Sequence, residues 1–502
     1  MKSIKMRLVT LFILCSFVTL LLLPVHAAET AGNLLPTASN NLNIGLRRSS
    51  DFVATGDGYM RVFYNGMSIG IEYYDDNFKI KSKRTIAMEL NLWGGFYAGS
   101  DGYYLVEGQN NTAESDTAEV IRVIKYDTNW NKAGVATITG NPELFGGEVG
   151  YPFHAGCVEM TECNGNLYIV TGHRGYVDPA VGQGHQGFLM IKVDEASMTG
   201  KIVKSDLWHS FAQYVKCKGS DLYILEQSEG SRCTKLSKYN TASLENTSLS
   251  VLEYGGSRTS AWAISCYASV DGMALSANNV LCLGTSIDQS KYDSVTSDTA
   301  HNIYLTVTPM SDFSENATTI KWITNYNGGG KSFLGTKITK INDNRFMVSW
   351  EEYESEGTAS ADDSLSASIL HYVFIDGNGN KISREFTQST PISDCQPVVK
   401  NSKVVYYASN ANMVNFYSID SETGKADKKA YRLAGEHASW DFHQGVLTIS
   451  GTGAISIDTE AKFRSPISST AGWHSYSSDD NAWKPIKSQV KKCNQVRDHE
   501  HT

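Results

Sequence analysis

His154, His173, His185 and His209 fall in one neighbourhood of the chain, and Arg174, Gln186, Trp208 and Gln213 stand beside them. Imidazole, amide and guanidinium groups trade hydrogen bonds with hydroxyls, and an indole covers the apolar face of a sugar ring. The mixture therefore suits a saccharide. The stretch from His173 to Gln186 is rich in glycine and poor in apolar residues, as a ligand-binding loop on a rigid scaffold would be. Scattered loop and strand residues satisfied by local hydrogen bonds are the simpler account of the same histidines. These eight residues are nevertheless the best ligand-binding candidates in the sequence. Their spacings match no helical or hairpin metal-ligand pattern, so no metal site is assigned.

Other chemistry is thinly represented. The sequence holds no GxSxG elbow, HExxH helix motif, Walker loop or complete dinucleotide fingerprint, and no cofactor is expected. The acidic pairs Asp75-Asp76, Glu351-Glu352, Asp362-Asp363 and Asp479-Asp480 are poor acid and base couples, because strand neighbours point to opposite faces. Asp376-Gly377-Asn378-Gly379-Asn380 spaces three oxygen side chains as a calcium loop would. Lys381 and Thr387 then stand where an EF-hand needs glycine and an acid, so a tight turn accounts for it better. Trp350 with Glu351 and Glu352 marks a strand end that could line an axis, with no role assigned.

The elements that must position these residues repeat. The run Val123 to Asn131 is an apolar strand that enters a polar turn, and six other places do the same, around Asp75, Asp194, Asn240, Met310, Asp376 and Asp420. Seven aromatic and β-branched strands precede them: Tyr59 to Tyr64, Tyr103 to Glu107, Leu167 to Thr171, Leu222 to Glu226, Val280 to Gly284, Phe346 to Glu351 and Val404 to Ala408. Repeats of this length with about four strands each indicate an all-β protein, a β-propeller of seven blades over residues 51–433. Six or eight blades, or a two-sheet sandwich, are the alternatives. Residues 288–299 and 355–366 read as solvated insertions rich in Ser, Thr and Asp.

Composition agrees. Among 502 residues there are 43 Gly, 10 Pro and 26 Tyr, which favours strands joined by tight turns. Residues 1–27 read as a secretory signal, with Lys2, Lys5 and Arg7 ahead of an apolar run and Val25-His26-Ala27 at the cleavage site. A retained membrane anchor is the rival reading. Taking those three from 44 basic residues leaves 41 against 53 acidic, a balance of −12, which argues against nucleic acid and anionic membranes as partners. Residues 28–50 form a lead-in whose Leu42 to Leu46 could supply a closing strand. Eight cysteines follow the leader, too sparse for a disulfide framework, and buried thiols are the expectation. Cys163 and Cys217 share a repeat position in neighbouring blades and could be bridged, although that position does not fix the sulfur separation.

After Leu433 the pattern changes. The segment Ser439 to Ile455, with its aromatic strand and Gly451-Thr452-Gly453 hairpin, resembles the opening of BspA-type leucine-rich-repeat surface proteins, and Ala482 to Val490 resembles the short helix of that cap. Residues 434–502 are thus expected to form a partial, cap-like β/α segment. In the propeller, Glu107 to Asn110 with Val120 to Asp127, His209 to Gln213, and Asn302 to Leu305 resemble segments of secreted propeller proteins of gut and oral Firmicutes. That resemblance implies fold and location and brings no activity with it.

The resulting expectation is a secreted or cell-surface adhesion protein whose propeller loops meet an extracellular glycan or a host or cell-surface protein. An extracellular polysaccharide-degrading enzyme, a lyase or glycosidase with its site assembled from several blades, is the alternative. Two acids facing each other in a central cleft would favour the enzyme. A His and Trp rim would favour binding, and a plugged axis would suggest a structural spacer.

Overall fold

The computed structural model describes residues 48–154, 158–180, 182–254, 268–291, 299–327, 331–354, 369–388, 390, 392–410, 413–435, 438–443, 446–451 and 492–495. They form seven antiparallel sheets, blades 1 to 7, at residues 50–87, 92–139, 151–205, 210–253, 272–322, 331–388 and 398–435. Within each blade four strands pair in chain order, with a short fifth, Tyr151–Pro152, against the second strand of blade 3. The first strands are Ser50–Thr55, Leu92–Ala98, Glu159–Cys163, Ser210–Lys218, Gly272–Leu275, Lys331–Asn342 and Val398–Lys400. Each approaches the next, and the seventh returns to the first. The chain is a closed seven-bladed propeller.

Burial explains why the second strands stand out in the sequence. Gly58–Tyr64, Asn166–Arg174 and Asn279–Ile287 are buried on both faces, because each blade is covered by a neighbour on either side. Such strands read as continuous apolar runs. The fourth strand Ile80–Ala87, at the circumference, is largely exposed.

The polar turns lock the blades together. An Asp or Asn opens each of six turns between third and fourth strands and accepts backbone N–H groups; Asp127 Oδ1 takes those of Asn129 and Asn131 at 2.9 and 2.8 Å. Asp376 Oδ1 takes those of Asn378 and Asn380 at the same distances, so its carboxylate closes a turn as Asp127 does. The residue ending the turn is left-handed and leans on the preceding blade. Trp130 (φ 63°) donates its indole proton to Tyr73 Oη at 2.6 Å, and Phe78 (φ 63°) stacks on Phe416 with centroids 4.8 Å apart. The Phe78 contact joins blade 1 to blade 7. Glycine holds the position in the last two blades: a Cβ at Gly379 or Gly424 would come within 2.7 Å of Leu305 or 2.4 Å of Phe386.

Closure involves no strand shared between blades 1 and 7 among the described residues; the region 42–46 lies outside them. Residues 48–50 act as a hub instead. Arg48 pairs with Glu159 of blade 3 at 2.7 Å, and its carbonyl accepts the Trp93 indole proton from blade 2. Ser49 and Ser50 donate to both oxygens of Asp394, next to blade 7, at 2.5–2.8 Å. Lys337 of blade 6 donates to the Asp394 carbonyl.

Cys163 and Cys217 form a disulfide between the first strands of blades 3 and 4, with Cα atoms 5.9 Å apart. Cys233, Cys282 and Cys395 are buried thiols. Beyond the seventh blade, Ala438–His443 pairs with the outer strand Ala426–Gly435, Val446–Gly451 follows it, and Lys492–Gln495 adds in parallel. The described strands beyond residue 437 thus extend blade 7. The helix expected at 482–490, the segment 1–27 read as a signal and the insertion expected at 355–366 lie outside the described residues.

Candidate ligand-binding site

One end of the ring, here the upper end, carries the links between blades and the turns between second and third strands. His173 and Arg174 end the second strand of blade 3, and His185 and Gln186 lie where its third strand begins. His154 is on the link entering blade 3, and Trp208 and His209 are on the link leaving it. His173 and Trp208 therefore share an end. The His209 N–H donates to the Gln186 carbonyl at 3.1 Å, and the His185 and His209 rings lie 6.1 Å apart. Gln213 stands apart, inside the first strand of blade 4.

Burial divides the eight residues. His173 is fully buried, and its Nε2 donates to the Gly146 carbonyl at 2.8 Å. Burial drives its pKa down to about 4, opposed by backbone bonds at Gly146 and Gly187 and aided by His154, so the ring is neutral and structural. Gln213 is also buried and donates to Ser210 Oγ. Arg174 is spread over the Tyr151 ring, 3.8 Å from its centroid. His154 is partly buried.

Trp208, His185 and His209 remain open to solvent. Trp208 is 58% exposed, and each histidine side chain is 38% exposed. His185 lies 3.8 Å from Asp178, and His209, with φ 56°, lies 3.6 Å from Glu229. The sequence did not point to Phe145, which is 68% exposed on a loop packed against Asp206 and Leu207. Its signal would have been the apolar pair Leu144-Phe145 ahead of Gly146-Gly147.

A charged layer underlies the platform. Asp206 Oδ1 accepts the backbone N–H groups of Phe188 and Trp208 at 3.2 and 3.3 Å, which fixes the link. Burial, then the nearby Glu226, raise the Asp206 pKa to about 6, while Lys235 pulls it down. Lys235 in turn pairs with Glu226 at 2.8 Å. The surface so built offers two exposed aromatic side chains and two imidazoles, with the Trp208 backbone held by Asp206.

A second gathering of titratable groups, also not singled out in the sequence, lies on the axis: Asp51, Glu159, Asp271 and Asp394 with Arg48 and Lys337. Burial raises Asp51 to about 8, with Arg48 opposing and Asp394 and Glu159 adding to the rise. Burial likewise raises Asp271 to about 6. Asp394 and Glu159 are occupied by the serines and Arg48 of the closing hub. Among the described residues no group of three or more His, Cys, Asp or Glu is placed to hold a metal ion, and no helix is long and apolar enough to cross a membrane.

No family model matches the chain, and no curated protein matches it. Similar solved structures include one from a study of two prolyl endopeptidases, at 10% identity and TM-score 0.44, covering 84% of this chain and 53% of that one. The chain thus spans about half the length of that protein. Polysaccharide lyase Uly1 aligns at 8% identity and TM-score 0.43, over 72% of this chain and 87% of that one. The GH93 α-L-arabinofuranosidase of Fusarium graminearum, with arabinobiose, aligns at 12% and 0.38, over 59% and 85%. With identities so low and superpositions so loose, function has to be argued from this chain's own residues.

Proposed function

We propose that this is a secreted or cell-surface binding protein that holds an extracellular glycan at the upper end of the ring, over blades 3 and 4. One observation carries the reading: Trp208 and Phe145 stand exposed beside the half-exposed His185 and His209, on links fixed by Asp206 and by the buried His173. Aromatic faces cover the apolar side of a sugar ring, and imidazoles exchange hydrogen bonds with its hydroxyls. The leader-like segment 1–27 supports delivery outside the cell. The axial carboxylates weigh less toward polysaccharide cleavage, because Asp394 and Glu159 already serve ring closure.

A glycan-array screen of the chain from Ala28 onward tests this, with Trp208→Ala and Phe145→Ala alongside. Selective binding that drops at least tenfold in either variant is expected. Selective glycan binding unchanged in both variants would remove the platform from the reading, and capture of no glycan would turn it toward a protein ligand.

A further inference from the structure

Between blades 5 and 6 a groove of about 420 Å³ opens, lined by Trp322, Ile323, Thr324, Asn325, Tyr326, Lys381 and Glu385. Its volume falls at the small end of the range of ligand pockets. The groove wall is pre-formed: the buried Asn302 accepts from Thr324 Oγ1 at 3.0 Å and from the Tyr326 N–H at 2.7 Å, and donates to the Tyr326 carbonyl at 3.1 Å.

Behind the wall runs a polar chain drawn from both blades. Tyr326 Oη donates to Glu352 Oε2 at 2.7 Å, the same oxygen lies 3.7 Å from His371 Nε2, and His371 Nδ1 meets Glu385 Oε1 at 2.6 Å. Trp350 stacks on the His371 ring with centroids 5.4 Å apart and fixes its plane. The Glu385 side chain is 45% exposed, so it faces the groove while its position is set from behind.

The charges select the ligand. Of the charged groups that line it, Glu385 disfavours an anion, whereas Lys381, bonded to the Ile323 carbonyl, disfavours a cation. A neutral, hydroxyl-rich molecule with one apolar face remains. Trp322 supplies a partly exposed indole, and Asn325, Lys381 and Glu385 supply donors and acceptors. We propose that this groove is a second saccharide site, of mono- or disaccharide size, separate from the platform on blades 3 and 4. The choice of a sugar rests on the glycan-binding reading above; the groove and its charge balance do not.

Isothermal titration of the chain from Ala28 onward with lactose, cellobiose and maltose, on wild type and on Glu385→Gln, Trp322→Ala and Trp208→Ala, tests the proposal. Affinity for at least one disaccharide is expected to fall about tenfold or more in Glu385→Gln, the loss of a hydrogen bond to a charged acceptor, and to survive in Trp208→Ala. Trp322→Ala should follow Glu385→Gln, and Glu385→Gln, at an exposed side chain, keeps the test informative if Trp322→Ala unfolds. Loss in Trp208→Ala alone would overturn the groove site and leave the platform standing. Wild type that binds none of the three would overturn the groove site, while the glycan array judges the platform separately.

Discussion

Tyr407, in the second strand of blade 7, donates its hydroxyl proton to Ser50 Oγ, the first residue of blade 1, across 357 positions of sequence. Ser50 passes its own proton to Asp394 at 2.5 Å, so a buried chain of hydroxyls and a carboxylate spans the seam of the ring. The seam is closed by polar side chains and by the stacking of Phe78 on Phe416.

That arrangement predicts a specific loss. Asp394→Ala leaves Ser49 and the buried Ser50 without their acceptor and the Tyr407–Ser50 bond without the carboxylate that anchors it, and hydrogen bonds to a charged group contribute about 1.5–3 kcal/mol each. The variant should lose roughly 3 kcal/mol or more of stability in urea unfolding, with blades 1 and 7 the first to exchange amide hydrogens. A loss below about 0.5 kcal/mol would mean that the hub does not close the ring.

The same axis predicts a pH dependence. Asp51 has a folded pKa of about 8 against 3.8 for the free side chain, so between those values the folded protein holds a proton that the unfolded chain has released. Its contribution is full below pH 3.8 and is lost as pH rises toward 8. His173 acts in the opposite sense: its pKa falls from 6.5 to about 4, so its contribution is full above pH 6.5 and is lost as pH falls through 4. Thermal melts from pH 4 to 9 should show Asp51→Asn flattening the decline on the alkaline side. If the alkaline limbs of wild type and variant are parallel, Asp51 is not the group responsible.

Blade 1 hides an ion pair whose removal should be asymmetric. Arg61 is fully buried, donates to Glu72 Oε2 at 2.9 Å, and lies over the rings of Phe63 and Tyr407 at 4.1 and 4.9 Å. Glu72 also accepts from Tyr74 at 2.6 Å. Glu72→Leu alone strands a buried guanidinium and should cost about 3–5 kcal/mol, whereas Arg61→Met with Glu72→Leu should recover most of it. A double variant as unstable as the single one would show that packing around Arg61, not charge pairing, sets the cost.

Much of the fold was legible because its signals are local. The seven buried second strands show as apolar runs, and Asp75, Asp127, Asp376 and Asp420 announce turns that each close within five residues. The axis was not legible, since Ser50 and Asp394 are 344 positions apart and neither belongs to a motif. The upper-end histidines were found as a group but not sorted. Composition cannot tell that His173 ends a buried strand while His185 and His209 reach solvent, nor that Phe145 joins Trp208. The chain Tyr326, Glu352, His371 and Glu385 comes from separate segments of two blades, and the pairings of Trp350 with His371 and of His371 with Thr387 across neighbouring strands set His371 between the two glutamates.

The Cys163–Cys217 disulfide bears on how blades 3 and 4 stay together. It closes a stretch with a sequence separation of 54 between first strands that already pack side by side. Cross-linking a stretch of that length removes chain entropy from the unfolded state corresponding to about 4 kcal/mol. The Cys163→Ala, Cys217→Ala double variant should therefore unfold at lower urea concentration, with a slope raised by the more open unfolded chain. The glycan binding proposed for blades 3 and 4 should persist at temperatures well below the new melting point, because Asp206 and His173 hold that end of the ring, opposite the disulfide. Reductant should move the wild-type midpoint to that of the double variant and leave the variant unchanged. A wild-type midpoint indifferent to reductant would mean that the two sulfurs remain thiols in solution.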